Sequence, residues 1–244
     1  MASHETPGKT QIRTYQRAGN AIHAIIRQAD KLYSERQRIE SVRASIAILR
    51  SAGGNEYEIL WRLGRALFFL GQEAPDNSSA LSNHCQGVSA CEQAVATAPE
   101  QVEGHFWLAV NLALAAQMQR RVLAIRKVRR AMRELQRAIQ IDSSYHGAGP
   151  LRLLARLQHK LPGCLGGGSA RALLNYKAAV NLAPENTVTR IYFAELLMES
   201  DERALSQEQL ELVLNAAADP NWAFEIERDK RIAEEMLAKL HRPG

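Results

Sequence analysis

Apolar residues recur along this chain at helical spacing, in short stretches separated by polar, Gly or Pro turns. Ile12, Ala18, Ile22, Ile25, Ile26, Ala29 and Leu32 line one face of a helix expected over residues 12–35. Ile39, Val42, Ile46 and Leu49 mark a second, stopped at Gly53-Gly54. Leu60, Leu63, Leu67 and Leu70 phase a third over Tyr57–Gly71. Ala74-Pro75-Asp76-Asn77-Ser78-Ser79 then opens an insertion before a paired helix over Gly87–Ala98. A helix over 102–117 follows, and then a basic segment in which Ile125, Val128, Met132, Leu135 and Ile139 keep helical phase. Gly147-Ala148-Gly149-Pro150 is a break ahead of a helix that runs to Lys160. Leu161–Ser169 is a glycine-rich loop in which Ser169 is expected to cap a helix over Ala170–Ala183. A last pair spans 187–200 and 206–218. Asp219-Pro220-Asn221-Trp222 turns the chain into a charged final helix over Glu225–Leu240.

These helices come in pairs with a common grammar. Ala172-x3-Tyr176-x2-Ala179-x4-Pro184, Ala131-x3-Leu135-x2-Ala138 and Gly87-x3-Cys91-x2-Ala94-x4-Pro99 repeat one spacing in the second helix of a pair. In the first helices, Leu63-Gly64, Leu108-Ala109, Leu154-Ala155 and Phe193-Ala194 place a small residue at one equivalent position. Small residues there let two antiparallel helices approach closely, and the Pro ends the second helix. The pattern resembles the tetratricopeptide (TPR) superfamily. It implies an all-α, right-handed superhelical solenoid of about five helix pairs plus a C-terminal capping helix. Residues 1–11 are expected to be unstructured and 12–242 to form a single repeat domain.

A narrower resemblance covers residues 55–240. Leu60-Trp61-Arg62-Leu63-Gly64-Arg65-Ala66, Glu103-Gly104-His105-Phe106-Trp107, Gly147-Ala148-Gly149-Pro150, Leu161-Pro162-Gly163-Cys164-Leu165-Gly166-Gly167 with Pro184-Glu185-Asn186, and Pro220-Asn221-Trp222-Ala223 resemble the TatT-like family. That family is named after the T component associated with bacterial TRAP transporters. The resemblance implies an interaction protein, self-association, and an accessory role near a binder of apolar ligands. Family members tied to transport are exported or lipid-anchored, whereas this sequence shows no signal peptide and no lipobox Cys. A second likeness is to the regulator of microtubule dynamics family, which shares these bent repeats.

Composition narrows the function classes. Hydrophobic residues make up 46% and charged residues 23% of 244, ordinary for a water-soluble globular fold. No stretch reaches the roughly 18 apolar residues of a membrane span. Cys85, Cys91 and Cys164 are an odd number without metal-ligand spacing and read as free thiols. A cytoplasmic location is expected, or a periplasmic one if an export signal precedes this start. The net charge of +5 is local: Arg120, Arg121, Arg126, Lys127, Arg129, Arg130, Arg133 and Arg137 fall in one segment with a single acid, Glu134.

In this repeat type the first helix of each pair lines the concave face. Alignment on the small residues puts Trp61, Arg65, Phe68, Phe106, Val110, Arg152, Arg156, His159, Ile191 and Glu195 on or near it. Aromatic and arginine anchors suit a protein or peptide partner. The alternative is that Trp61, Phe68 and Phe106 are inter-helix core. Arg126, Lys127, Arg129 and Arg130 form a candidate basic surface for acidic protein or anionic lipid, against the plainer reading of a solvated face. The segment lacks aromatics for base stacking, so nucleic acid is not expected. Gly166-Gly167-Gly168-Ser169 lacks the lysine of a phosphate-binding loop and reads as a turn. His84, Cys85 and Cys91, and His105 and His146 at repeat starts, match no catalytic or metal spacing. The expectation is a non-catalytic scaffold without cofactor or metal. The alternatives are a transporter accessory and a microtubule- or membrane-surface adaptor, with homo-oligomerisation open.

Overall fold

The computed structural model describes residues 7–53, 55–119, 121–220 and 222–240; the side chains of residues 7–18 and of Arg121 lie outside that description. Gly54, Arg120, Asn221 and the first six residues, which carry parts of the expected turns, basic segment and unstructured start, lie outside it as well. Among the described residues the chain is all-helical: α1 (Pro7–Ser34), α2 (Ile39–Ser51), α3 (Tyr57–Gln72), α4 (Asn77–Thr97), α5 (Val102–Gln117), α6 (Arg121–Asp142), α7 (Tyr145–Lys160), α8 (Ser169–Leu182), α9 (Thr187–Glu199), α10 (Arg203–Leu214) and α11 (Ala223–Leu240). They fall into two compact units, residues 1–99 and 100–244.

In the first unit α1 packs on α2 and α3 on α4, and α2 and α3 join the pairs. In the second, the pairs are α5/α6, α7/α8 and α9/α10, with α11 against α10 and α9. Successive first helices also touch: α1 with α3 in the first unit, and α5 with α7 and α7 with α9 in the second. Five helix pairs and a terminal helix are the expected elements.

The small residues make the pairing. Gly64, Ala109, Ala155 and Ala194 are buried, as is Ala29 at the equivalent place in α1. Facing them, each second helix buries a trio with one spacing: Val42-Ile46-Leu49, Gly87-Cys91-Ala94, Ala131-Leu135-Ala138, Ala172-Tyr176-Ala179 and Ser206-Leu210-Val213. The first and last trios extend to both ends of the chain a repeat that the motifs mark only in its middle. Ser45 Oγ donates to the Ala29 carbonyl at 2.9 Å and Ser206 Oγ to the Ala194 carbonyl at 3.0 Å, so the outermost pairs add a polar clasp at the same place.

Several element boundaries differ from expectation. The stretch after Pro75 is not a loop insertion: α4 starts at Asn77, because Asp76 caps it by accepting from the Ser78 and Ser79 amides at 2.9 Å. Ser169 is the first residue of α8 and not its cap, a place taken by Gly168 at φ +146°. The break at Gly147 is a left-handed turn, with φ of +53°, +62° and +56° at His146, Gly147 and Ala148. Three consecutive residues in that region are costly. Arg152 holds the turn by donating to the Gly147 carbonyl at 2.9 Å.

Two of the second helices, α4 and α6, are longer than the other three. The buried trio begins at the fourth residue of α2, α8 and α10 but at the eleventh of α4 and α6. Seven more residues are about two helical turns, which keep the buried face in phase. The additions are residues 77–83 of α4 and 121–127 of α6.

The tightest pairing is at Gly64, where a Cβ would lie 2.0 Å from Cys91 Sγ. Alanine gains about 1 kcal/mol over glycine in a helix, but overpacking of this kind costs about 1–3 kcal/mol. Gly64→Ala is therefore expected to lower the unfolding free energy in denaturant titrations. In the double variant with Cys91→Ala, the loss is smaller than the sum of the single losses.

Candidate functional site

In the first unit, four side chains of α1 and α3 form a stack. The Arg65 guanidinium lies 4.1 Å from the Tyr33 ring centre and 5.0 Å from that of Trp61, and the Arg62 guanidinium lies 4.1 Å from the Trp61 ring centre. Asp30 ties the two arginines together, accepting from Arg65 Nη2 at 2.6 Å and from Arg62 Nε at 3.0 Å. Glu58 accepts from Trp61 Nε1 at 3.2 Å and pairs with Arg62. The two arginine side chains remain 14% and 19% exposed, whereas Trp61 is buried beneath them. Phe68 is half-buried and packs against the cluster of Val42, Ile46, Ala66, Leu67 and Phe69.

In the second unit the expected residues divide. Phe106, Val110 and Ile191 are buried. Phe106 meets Trp107, Tyr145 and His146, which bring the aromatic cluster onto the left-handed turn. Arg152 is buried and reaches Asn186 Oδ1 at 3.2 Å, the side chain that caps α9, so it works as a brace between repeats. Burial pulls its guanidinium below the ordinary value. Arg156, His159 and Glu195 lie together with Lys160, Tyr192 and Glu199 on α7 and α9. Arg156 pairs with Glu195 and lies 4.4 Å from the Tyr192 ring centre. Lys160 Nζ reaches Glu195 at 2.7 Å and Glu199 at 2.6 Å, and His159 Nε2 reaches Glu199 at 2.8 Å. Burial raises the Glu195 carboxyl, but hydrogen bonds from Lys160 and Arg156 outweigh it and hold it below its ordinary value. Hydrogen bonds from Lys160 and His159 lower Glu199.

His84 and Cys91 have packing roles. The ring of His84, buried in α4, fills the space that a Cβ on Gly71 would enter at 2.5 Å. Burial pushes the Cys91 thiol far up, away from the thiolate that nucleophilic chemistry needs. His105 Nδ1 lies 2.7 Å from Glu134, whose carboxyl is raised by burial but lowered further by His105 and Arg130. No group of three or more metal-ligating side chains occurs among the described residues. In the glycine loop the amides of Gly166, Gly167 and Gly168 bond the carbonyls of Gly163, Pro162 and Gln158, so they are turn-forming donors.

The arginine segment becomes α6. Arg126, Arg129 and Arg133 are exposed, and Lys127 and Arg130 are half-exposed. A cleft of about 590 Å³, not anticipated from the sequence, lies between α2, the end of α3 and the added turns of α4. Arg43 and Arg50 line one side and Ser78, Ser79 and Ser82 the other. The aspartate cap at Asp76 is the sequence signal that these serines belong to a helix.

Paired helices with a small residue at one fixed place, a buried trio opposite it and first helices in contact define a TPR-like helical-repeat protein. A solved structure agrees: a thermophilic TPR protein in Thermus thermophilus superposes with a TM-score of 0.63 at 19% identity, covering 88% of this chain and 98% of that one. MamA protein aligns at a TM-score of 0.46 and 15% identity, covering 93% and 98%. No curated protein matches significantly. The family model for regulator of microtubule dynamics protein 1-3 matches residues 25–149, just over half of the chain, and the chain belongs to that family. Of the two narrower resemblances in the motifs, this is the one the match carries. No helix among the described residues is long and apolar enough to cross a membrane.

The Glu195 and Glu199 pairing implies an acid-side dependence. Both carboxyls are held below their ordinary 4.5, so their contribution to stability is full above pH 4.5 and is lost as pH falls through their lowered values. Glu195→Gln/Glu199→Gln is expected to flatten the fall in melting temperature below pH 4.5 in a series of thermal melts. An unchanged slope would show that the ladder contributes nothing.

Proposed function

We propose that the protein is a non-catalytic binding protein that offers the first-helix faces of its repeats to a protein or peptide partner. The observation that carries this reading is the stack of Tyr33, Arg65, Trp61 and Arg62 on Asp30. It orients two partly exposed arginines against aromatic rings, with a carboxylate holding both. Arginine over aromatic rings is a common energetic anchor of interfaces, because little side-chain freedom remains to be lost on binding. Phe68 on the same helix would add apolar contact. In the second unit Arg156, Tyr192 and Glu195 present the corresponding polar and aromatic surface. Trp61, Phe106, Val110, Arg152 and Ile191 would act beneath these surfaces, by setting the shape on which the outer side chains rest.

The family match favours a partner from the microtubule system, bound directly or through another protein. The test is titration of the purified chain with candidate microtubule-associated partners and co-sedimentation with microtubules. Arg65→Ala leaves the packed Trp61 in place and is expected to weaken binding by roughly tenfold or more, the scale of an interface anchor, with the circular dichroism unchanged. Equal affinity in a correctly folded Arg65→Ala protein would remove the stack from the interface.

A further inference from the structure

The seven basic and two acidic residues of α6 give it a charge of +5, equal to the formal net charge of the whole chain. The charge is also ordered. Val122, Arg126, Arg129 and Arg133 follow one another at spacings of four, three and four residues and so share one face, about 16 Å long at 1.5 Å per residue. The opposite face holds the fully buried Ala131, Leu135 and Ala138, which fix the helix against its repeat. Arg126, Arg129 and Arg133 are exposed and take part in no ion pair or hydrogen bond among the described residues. The acid on the helix flank, Glu134, is engaged by His105 and Arg130. By contrast, Arg137 pairs with Glu100, and on the first-helix faces Arg62 and Arg65 pair with Asp30 and Arg156 with Glu195.

At the start of the same helix the two added turns carry apolar side chains into solvent. Val122 is 67% and Leu123 51% exposed, the largest exposures but one among the large hydrophobics described. An unneutralised arginine row with aliphatic side chains at its leading end is the composition of a helix that rests on a membrane interface. Cations meet lipid phosphate while short apolar side chains enter the headgroup boundary. Arginine in place of lysine at the three exposed positions suits phosphate oxygens, which its planar fork contacts in pairs. The row is a ridge on one helix, and the cleft beside α2 and α4 is not lined by it, so a flat anionic surface fits it better than an inserted peptide.

We propose that α6 docks the protein peripherally onto membranes containing anionic phospholipid, through Arg126, Arg129 and Arg133 with Val122 and Leu123 as the apolar tip. This surface is distinct from the first-helix faces proposed for partner binding, so the protein would hold a partner at a membrane surface.

The experiment is flotation of the full chain with vesicles of phosphatidylcholine alone and of phosphatidylcholine mixed with phosphatidylserine, across a salt series. Binding is expected on the mixed vesicles only and should fall steeply with salt. Arg126→Glu/Arg129→Glu/Arg133→Glu should weaken it by about a hundredfold or more. Arg126→Lys/Arg129→Lys/Arg133→Lys should retain most of it, and Val122→Ser/Leu123→Ser should reduce it several-fold. Circular dichroism and melting curves establish that each variant is folded. The proposal is overturned by equal binding to neutral vesicles, by binding that survives the charge reversal, or by a lysine variant that binds no better than the glutamate one. It is also overturned if the chain ignores both vesicles but binds polyglutamate through the same arginines, which would make α6 a docking surface for acidic protein. Partner titration with the charge-reversed chain separates the two readings, because loss of vesicle binding with intact partner affinity affects only this one.

Discussion

Close approach of two helices at one small residue is the constraint from which the rest of the structure follows. At Gly64 there is no room for even a methyl group before Cys91 is struck. At Ala109, Ala155 and Ala194 the methyl fits and is completely enclosed. Once that contact is made, it sets where the trio on the second helix lies, and within each unit the second helix packs on the first helix of the next pair. Dispersion and apolar burial then accumulate along a surface whose geometry was set by a single side-chain volume.

That dependence explains what could be read from the sequence. A small residue and a trio four and three residues apart are local patterns, and spacing alone is enough to identify the middle pairs. The first and last trios lack that signature, because Val42-Ile46-Leu49 contains no small residue and Ser206 is polar. The start of α4 is obscured for a related reason. Asn77 to Asn83 is too polar to show an apolar stripe, and only the Asp76 cap marks it as helical. Periodicity places a residue on a helix face but does not say what lies across from it. It puts Trp61, Arg65, Phe106 and Arg152 on one surface, whereas their partners separate them. Trp61 and Phe106 are covered, Arg152 is turned inward to brace a neighbouring repeat, and Arg65 is held at the surface between two rings. Those outcomes depend on Tyr33, Asp30, Asn186 and the turn at His146, which lie far away in sequence.

Electrostatics divides the molecule by a similar logic. On α7 and α9, positive and negative side chains interleave closely enough for the carboxyls to be stabilised in their charged form. On α6, Arg126, Arg129 and Arg133 have no such counterweight among the described residues. Exposed pairs contribute little to folding stability, so the difference matters more for what each surface attracts than for how firmly it folds.

The two-turn additions to α4 and α6 suggest how such a repeat can diverge. Seven residues return a helix to nearly the same angular position, so an insertion of that length at the start of a second helix leaves its packed half unaltered. New surface appears with no new core to be designed: a serine-lined cleft wall in one repeat and an arginine-bearing tip in another. A repeat can thus gain surface in whole-turn steps while the packing of its paired region is kept.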